Sequence, residues 1–582
     1  MSISPTDVSA PKPGVTDRFI SRWLSFSSQR EEQIFLALTL VIGALVGLAV
    51  VAFIVLTERL GMRLYPVGSA PWRRVLIPVA GSLGMGYLLF RYFPDARGSG
   101  VPQTKAALFA REGYISLRTV LGKFGCTAAT LASGIPLGRE GPSVQVGGGI
   151  ASVLGRRLGL RQEKVKALIP VGAAAAIAAA FNTPMAAVLF SLEEVMGDLN
   201  APVLGSVVLA SATSWIVLRV LLGNNPLFHV PQYELVHPLE FGIYAVLGVA
   251  GGLLSAAFTR LLLGMRERFL LLPRKTRWWH PVTGGLVVGM MGWAVPQVLG
   301  VGYSYVGDAL NGNMALKLMA LLVVLKLFAV TLSYASGNAG GIFGPALFLG
   351  AMLGGTIGSV AHHFLPLSTA TPGAYALVGM GALFAGIVRA PMTSVLMIFE
   401  MTHDYAVIVP LMIANLASLF ISSRLQKQPI YEALAHQDGI HLPNSKRDEF
   451  GQRRVLHAMR NAVETLSAQM TVREAVERVR ASNFRAWLLM DEGSIVGVLN
   501  RLALTKAVED GKAEQTLLSL LDTLEFPHVH TDHALHLALE RMSGAHVDIL
   551  PVVNRADVHK LEGIVTLRDV LDSYGVDSIG SA

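Results

Sequence analysis

The sequence predicts an all-α polytopic membrane domain of two related halves, followed by an α/β tail of two similar units. Three observations carry that prediction. Apolar side chains make up 52% of the chain and charged ones only 15%, with a mean hydropathy of +0.50, a balance that soluble proteins rarely show. Apolar runs recur from about residue 31 to 423 while both ends are polar. The chain also resembles itself at an offset close to half the length of the apolar region.

Taken in order, residues 1–30 are polar, carry Arg18, Arg22 and Arg30, and contain no short apolar core followed by a small-residue cleavage site. No signal peptide is expected, so the first span, near Gln33 to Leu56, should remain as an anchor. The arginines before it predict a cytoplasmic N-terminus. The apolar region is far too long for one span and predicts about ten to eighteen helical segments, several too short to cross a ~30 Å hydrocarbon core. Short segments interrupted by Gly and Pro are what transporters use at midplane binding sites. The basic clusters Arg156 to Lys166 and Arg260 to Arg277 are expected at loops or interfaces. The net charge of +8 is then a matter of topology rather than of nucleic acid. The lone Cys126 excludes an intramolecular disulfide and predicts a buried, inert thiol.

The internal repeat is specific. Ala132-Ser133-Gly134, Gly138, Gly141, Pro142, Gly147 and Gly155 recur as Ala335-Ser336-Gly337, Gly341, Gly344, Pro345, Gly350 and Gly358, and Lys123 finds Lys326. Further on, Val171-Gly172, Ala175, Ala178, Pro184-Met185, Val188-Leu189 and Glu193 recur as Val378-Gly379, Ala382, Ala385, Pro391-Met392, Val395-Leu396 and Glu400. Matched Pro, Lys and Glu in one register point to two homologous halves, about 31–222 and 239–435. Transporters built this way commonly place the repeats in opposite membrane orientations, with the substrate where they meet.

Within the first repeat, Gly138-Arg139-Glu140-Gly141-Pro142 places a carboxylate where the surroundings are apolar. An ionised group at the bilayer centre costs at least about 2.5 to 3.5 kcal/mol on insertion scales, so it persists only where a cavity, a partner or a proton compensates it. The glycines and Pro142 also predict a helix starting here, with free N–H groups at its mouth. Such N–H groups and the positive end of the helix form an anion site, and Glu140 is a built-in competing anion. Ionised, it blocks the site; protonated, it can leave.

These motifs carry a resemblance. Gly98-Ser99-Gly100-Val101-Pro102, Gly138-Arg139-Glu140-Gly141-Pro142, Gly341-Ile342-Phe343-Gly344-Pro345 and Tyr431 after Pro429 stand in the order found in the CLC chloride channel and transporter family. The resemblance covers about residues 31–435 and implies the CLC fold of two inverted repeats, a homodimer, and one ion pathway per subunit. It implies hydroxyl donors to a central anion at Ser99 and Tyr431, backbone donors at Ile342 and Phe343, and a gating role for Glu140. Arg139 is expected to add positive potential or a structural pair. Ser99 implies chloride, since nitrate-selective relatives place proline there. Gln103 departs from the glutamate usual after the first motif, which puts any ion pair at that position in doubt.

A second carboxylate lies in Phe190-Ser191-Leu192-Glu193-Glu194-Val195. Glu193 matches Glu400 in the second half and is expected to be structural, whereas Glu194 matches Met401 and is the asymmetric one. In proton-coupled relatives the internal proton-transfer glutamate stands at the position of Glu194. A chloride/proton antiporter gated by protonation of Glu140 is therefore expected, and a passive voltage- or pH-gated chloride channel of the same fold is the alternative.

Residues 436–461 read as a polar linker, followed by two α/β units at about 462–509 and 523–575 within a tail of 462–582. Each has an amphipathic helix (Val472 to Val479; Ala534 to Met542), an apolar strand (Ala486 to Met490; Ile549 to Val553) and a second strand leading into a helix (Ile495 to Leu499; Gly563 to Val565). The pair resembles a tandem CBS domain, a cytosolic module that often binds adenine nucleotides. Thr566 and Asp569 match its phosphate and ribose anchors, so ATP, ADP or AMP is the implied ligand. The first unit has Asn500 and Ala503 there, leaving at most one anchored site, and the competing expectation is a dimerising platform in which Asp569 caps a helix. His528, His530, His533 and His536 lack an acidic or cysteine partner and are expected to be solvated rather than metal-binding. No His-Glu dipeptide occurs, which excludes a His-Glu-x-x-His metalloprotease, and the basic balance argues against a divalent-cation transporter. The chain is thus expected to be a transporter rather than an enzyme, with no required cofactor or metal. It is expected in a bacterial inner membrane, with both termini cytoplasmic.

Overall fold

The computed structural model describes residues 15–573 except 67, 200–202, 224–227, 229, 231–232, 234–235, 441, 443–452, 462–464, 481, 483, 485, 522–525 and 546, and only the backbone of 15–34. Of the polar N-terminal segment 1–30, residues 1–14 lie outside this range. The rest forms the start of a long helix, α1 (Val15–Leu64). The chain divides into two compact units, Met1–Leu442 and Pro443–Ala582.

The first unit is helical. Its first half contains α1, α2 (Arg73–Arg91), α3 (Val101–Phe109), α4 (Leu117–Ala132), α5 (Glu140–Arg157), α6 (Gln162–Phe181), α7 (Pro184–Phe190) and α8 (Leu204–Leu222). The second contains α9 (Glu240–Leu271), α10 (His280–Ala294), α11 (Tyr303–Leu310), α12 (Leu316–Ser336), α13 (Phe343–Phe364), α14 (Pro372–Val388), α15 (Pro391–Thr402) and α16 (Ile408–Leu425), and α17 (Ile430–Gln437) follows. Among the described residues seven helices are long and apolar enough to cross a membrane, and others, such as α3, α7 and α11, are too short. Prolines open α7, α14 and α15 at positions where the missing N–H costs nothing. In α14, and in α6 beyond its polar start, the helix is apolar all round and nearly every side chain is buried, the pattern of a helix enclosed by others.

The halves meet reciprocally, as a two-fold relation requires. Gly138 and Gly341 exchange N–H···O bonds, both 2.7 Å, in an antiparallel bridge. The Glu400 carboxylate accepts from the N–H groups of Met185 and Ala186, and its counterpart Glu193 accepts from those of Met392 and Thr393. Close packing repeats too. A Cβ on Gly147 would lie 2.2 Å from the Gly172 carbonyl, and one on Gly350 would lie 2.3 Å from that of Gly379. Small residues let backbones approach where lipid gives no hydrophobic drive. This is the all-α membrane fold of two inverted repeats.

The second unit is α/β. Strand β1 (Thr465–Ser467) runs parallel to β2 (Ala486–Asp491), which pairs antiparallel with β3 (Ser494–Asn500). Strands β4 (Ile549–Val553) and β5 (Leu561–Thr566) repeat the antiparallel pair, and Val529 bridges Val552 in parallel where a first strand would lie. Helices α18 (Val472–Val479), α19 (Arg501–Glu509), α20 (Leu535–Ala545) and α21 (Leu567–Ser573) complete it. Ala486, Leu488, Ile495, Ile549, Val553 and Ile564 share one core, so the two repeats pack as a pair. Residues expected in the linker take part: the Val455 N–H donates to the His533 carbonyl, and Arg460 exchanges N–H···O bonds with Ile564. Linker residues 443–452 lie outside the described range.

Candidate functional site

The site is assembled from the loop before α3 and the starts of α5, α13 and α17. Gly100, the N-cap of α3, has φ 108°, and a Cβ there would lie 2.1 Å from the Gly141 carbonyl. A Cβ on Gly141 would in turn lie 2.6 Å from the Ser99 carbonyl and 2.8 Å from Ser99 Oγ. Glycine at both positions lets the loop lie directly on the mouth of α5. The buried Lys123 Nζ fixes the loop by donating to the carbonyls of Ala96 (3.0 Å) and Gly98 (2.5 Å). Gln103, where a glutamate was usual, accepts the Gly100 N–H at 2.8 Å, so the amide caps α3 without a charge.

Ser99 and Tyr431 are fully buried, and neither hydroxyl has a hydrogen-bond partner among the described residues. A buried hydroxyl left unmatched costs about 1 to 3 kcal/mol, so two neighbouring ones suit an acceptor supplied from outside. Ile342 and Phe343 open α13, and both are fully buried. The first N–H groups of a helix have no partner within it. The Phe343 ring packs at tilted or edge-on angles against Phe181, Phe190 and Phe384, at centroid distances of 4.7, 5.7 and 4.3 Å. These donor groups are thus uncharged and buried, at or next to the starts of α3, α13 and α17.

Glu140 is fully buried at the start of α5, yet its carboxylate serves the opposite half. Oε2 accepts the Gly344 N–H at 3.2 Å, at the N-terminus of α13, and Oε1 accepts from the Tyr303 hydroxyl. It does not pair with its neighbour Arg139, which makes a 3.6 Å salt bridge to Glu58 on α1 and lies 5.5 Å from the Tyr303 ring centroid.

The two adjacent glutamates diverge. Glu193 accepts at the N-terminus of α15, including from the Thr393 hydroxyl at 2.7 Å. Glu194 lies on the π-type turn Ser191–Met196 that follows α7 and is 6% exposed, with Lys105 Nζ of α3 at 2.9 Å. It is therefore not a solvated helix-end carboxylate.

Sequence reasoning missed Lys105 and Tyr303. Lys105 was visible as a single cation six residues after Ser99 in an apolar stretch. Tyr303 follows Gly300-Val301-Gly302, which repeats Gly98-Ser99-Gly100 at an offset one residue shorter than that of the neighbouring helices. Extending the repeat to that loop would have found it.

In the tail, Asp569 is occupied. Its Oδ2 accepts from the Thr566 N–H (3.1 Å) and hydroxyl (2.7 Å), and its Oδ1 pairs with Arg460. Arg453, His457, Arg460, Asp569, Asp572 and Ser573 line an open cleft. Asn500 caps α19 in the matching place by accepting the Ala503 N–H at 2.8 Å. Among the described residues no group of metal-ligating side chains is assembled. His528 Nδ1 and His530 Nδ1 lie within hydrogen-bond distance of the carbonyls of Phe526 and Val553, so these two are half-buried and engaged rather than solvated.

Helix N-termini, buried hydroxyls and a buried carboxylate thus gather at the contact between the two halves of an apolar, multi-helix unit. The chain belongs to the voltage gated chloride channel family, whose model matches residues 81–423, and CBS domain models match 454–510 and 521–575. It is 33% identical over 380 residues to an H(+)/Cl(-) exchange transporter ClcA of Vibrio campbellii, covering 64% of this chain and 81% of that protein. The fold matches that of a slow cyanobacterial Cl-/H+ antiporter with a TM-score of 0.64 and 27% identity, over 69% of this chain and 97% of the other. A eukaryotic CLC transporter matches 92% of this chain and 97% of its own with a TM-score of 0.62 at 21% identity, a likeness of fold alone.

Proposed function

We propose that this integral membrane protein exchanges chloride for protons, with Glu140 as the group for which both ions compete. One observation carries the proposal: the Glu140 carboxylate lies on the N-terminal N–H of Gly344, in an anion position beside Ile342 and Phe343. A helix N-terminus holds about half a positive charge, enough to favour an anion without trapping it. While Glu140 is ionised it fills this position. A proton removes its charge and its attraction to the N–H groups, the side chain leaves, and chloride takes the position with Ser99 and Tyr431 donating from the other side. Return of the carboxylate requires loss of the proton, so each anion passage is tied to a protonation cycle.

Glu194 supplies a second buried carboxylate, and Lys105 balances its charge when no proton is present. We assign it the inner proton-transfer step, supported by its lack of a counterpart in the second half and by the exchange activity named for relatives. Homodimeric assembly, cytoplasmic termini and a bacterial inner membrane belong to the same proposal. So does an adenine nucleotide at the tail, where it would have to displace Arg460 from Asp569.

The test is simultaneous recording of chloride and proton flux from liposomes under an imposed chloride gradient. Exchange moves protons uphill as chloride runs down. Chloride flux with no proton movement would establish the passive channel instead.

A further inference from the structure

We infer that Tyr303 is a positioning residue for the gate: its hydroxyl holds the ionised Glu140 on the N-terminus of α13 and thereby sets the pH at which the pathway opens. The inference rests on the assignment of Glu140 as the gate. In the repeat, Gly300-Val301-Gly302 occupies the place of Gly98-Ser99-Gly100, and Val301 lacks the serine hydroxyl. The second half instead presents the hydroxyl of Tyr303, the first residue of α11, to the Glu140 carboxylate. Among the described residues it is the one side-chain donor to Glu140.

The tyrosine is held from several sides. Lys326 Nζ donates to the carbonyls of Val298 (3.0 Å) and Gly300 (2.7 Å), fixing the loop that leads into α11. The Phe228 ring meets the Tyr303 ring edge-on at 5.7 Å, and the Arg139 guanidinium lies over the ring. A Cβ on Gly344 would lie 2.8 Å from Tyr303 Oη and 3.0 Å from Glu140 Oε2, so the absence of a side chain there admits both groups.

The other charged groups around the start of α5 are committed elsewhere. Arg139 pairs with Glu58 of α1, Lys105 of α3 with Glu194, and Lys123 of α4 with the carbonyls of Ala96 and Gly98. Lys326 of α12 is bound as described, and Tyr431 of α17 makes no hydrogen bond among the described residues. Glu163, Lys164 and Lys166 stand at the start of α6, which follows the opposite end of α5. A hydroxyl donating to a carboxylate favours its charged form. Without that bond the gate should protonate, and open, at higher pH.

The experiment measures initial chloride flux against pH in reconstituted full-length protein for wild type, Tyr303→Phe and Tyr303→Leu. Glu140→Ala and its double variant with Tyr303→Phe are measured in parallel. Loss of the hydroxyl is expected to move the half-maximal pH alkaline by about one unit, a tenfold change in proton affinity. In the Glu140→Ala background Tyr303→Phe should leave the profile unmoved. An unmoved midpoint in both Tyr303 variants, with Glu140→Ala indifferent to pH, overturns the role of Tyr303 and leaves the gate standing. A shift that persists without Glu140 also overturns it. Glu140→Ala flux that keeps the wild-type pH dependence overturns the gate assignment itself.

Discussion

A carboxylate at residue 140 is stable in an apolar interior because two donors from the opposite half receive it. Neutralising the side chain removes both the competing anion and the proton carrier, so Glu140→Gln should conduct chloride with no proton dependence in liposome flux assays. Uphill proton movement by the purified variant would refute the assignment. Glu194→Gln should lose proton flux while chloride still binds, because its site lies on the separate turn after α7. Ser99→Ala and Tyr431→Phe each delete one hydroxyl donor. A hydrogen bond to a charged group contributes about 1.5 to 3 kcal/mol, so chloride affinity by isothermal titration should fall roughly tenfold to a hundredfold in each.

Helix termini are the elements from which the ion site and the contact between halves are both made. The N-terminus of α13 receives Glu140, while those of α7 and α15 receive Glu400 and Glu193. Each of the latter carboxylates satisfies two backbone N–H groups that α7 or α15 cannot satisfy itself. Glu400→Ala should therefore lower stability by about 1 to 3 kcal/mol, read as a lower Tm in detergent, and Glu193→Ala should act in the same direction. An unchanged Tm in both would show that the reciprocal caps contribute nothing. The repeat register marked Glu193 and Glu400 as equivalent. Their crossed destinations could not be read from it, because equivalence in sequence does not say which helix end each carboxylate meets.

At the scale of the whole molecule, the tail packs around its own cores, distinct from that of the helical unit. Its strands and helices follow the sequence pattern closely, since alternating apolar residues and caps such as Thr471 with Glu474 are local signals. Asp569 is different. Thr566 and Asp569 were legible as anchors for a nucleotide, but only the fold puts Arg460 on the same carboxylate. Asp569→Ala should release Arg460 and strip Thr566 of its acceptor, so it should destabilise the tail and abolish any adenine-nucleotide binding by the full-length protein. Titration of wild type and variant with ATP, ADP and AMP checks this; tight binding unaffected by the substitution would place the nucleotide elsewhere.

The sequence by itself determined the membrane class, the duplicated helical unit, the paired α/β tail and the motifs from which a site could be built. Composition and periodicity are carried by residues near one another in the chain, and a repeat is read by comparing two segments without knowing how they pack. Tertiary structure alone decided which groups meet: Tyr303 on Glu140, Lys105 on Glu194, Arg139 on Glu58 rather than Glu140. Each of these contacts joins different helices, and Tyr303 lies 163 residues from Glu140. Buried charges and hydroxyls take whichever partner the packing brings within hydrogen-bond reach, and that choice depends on helix crossings that no local pattern encodes.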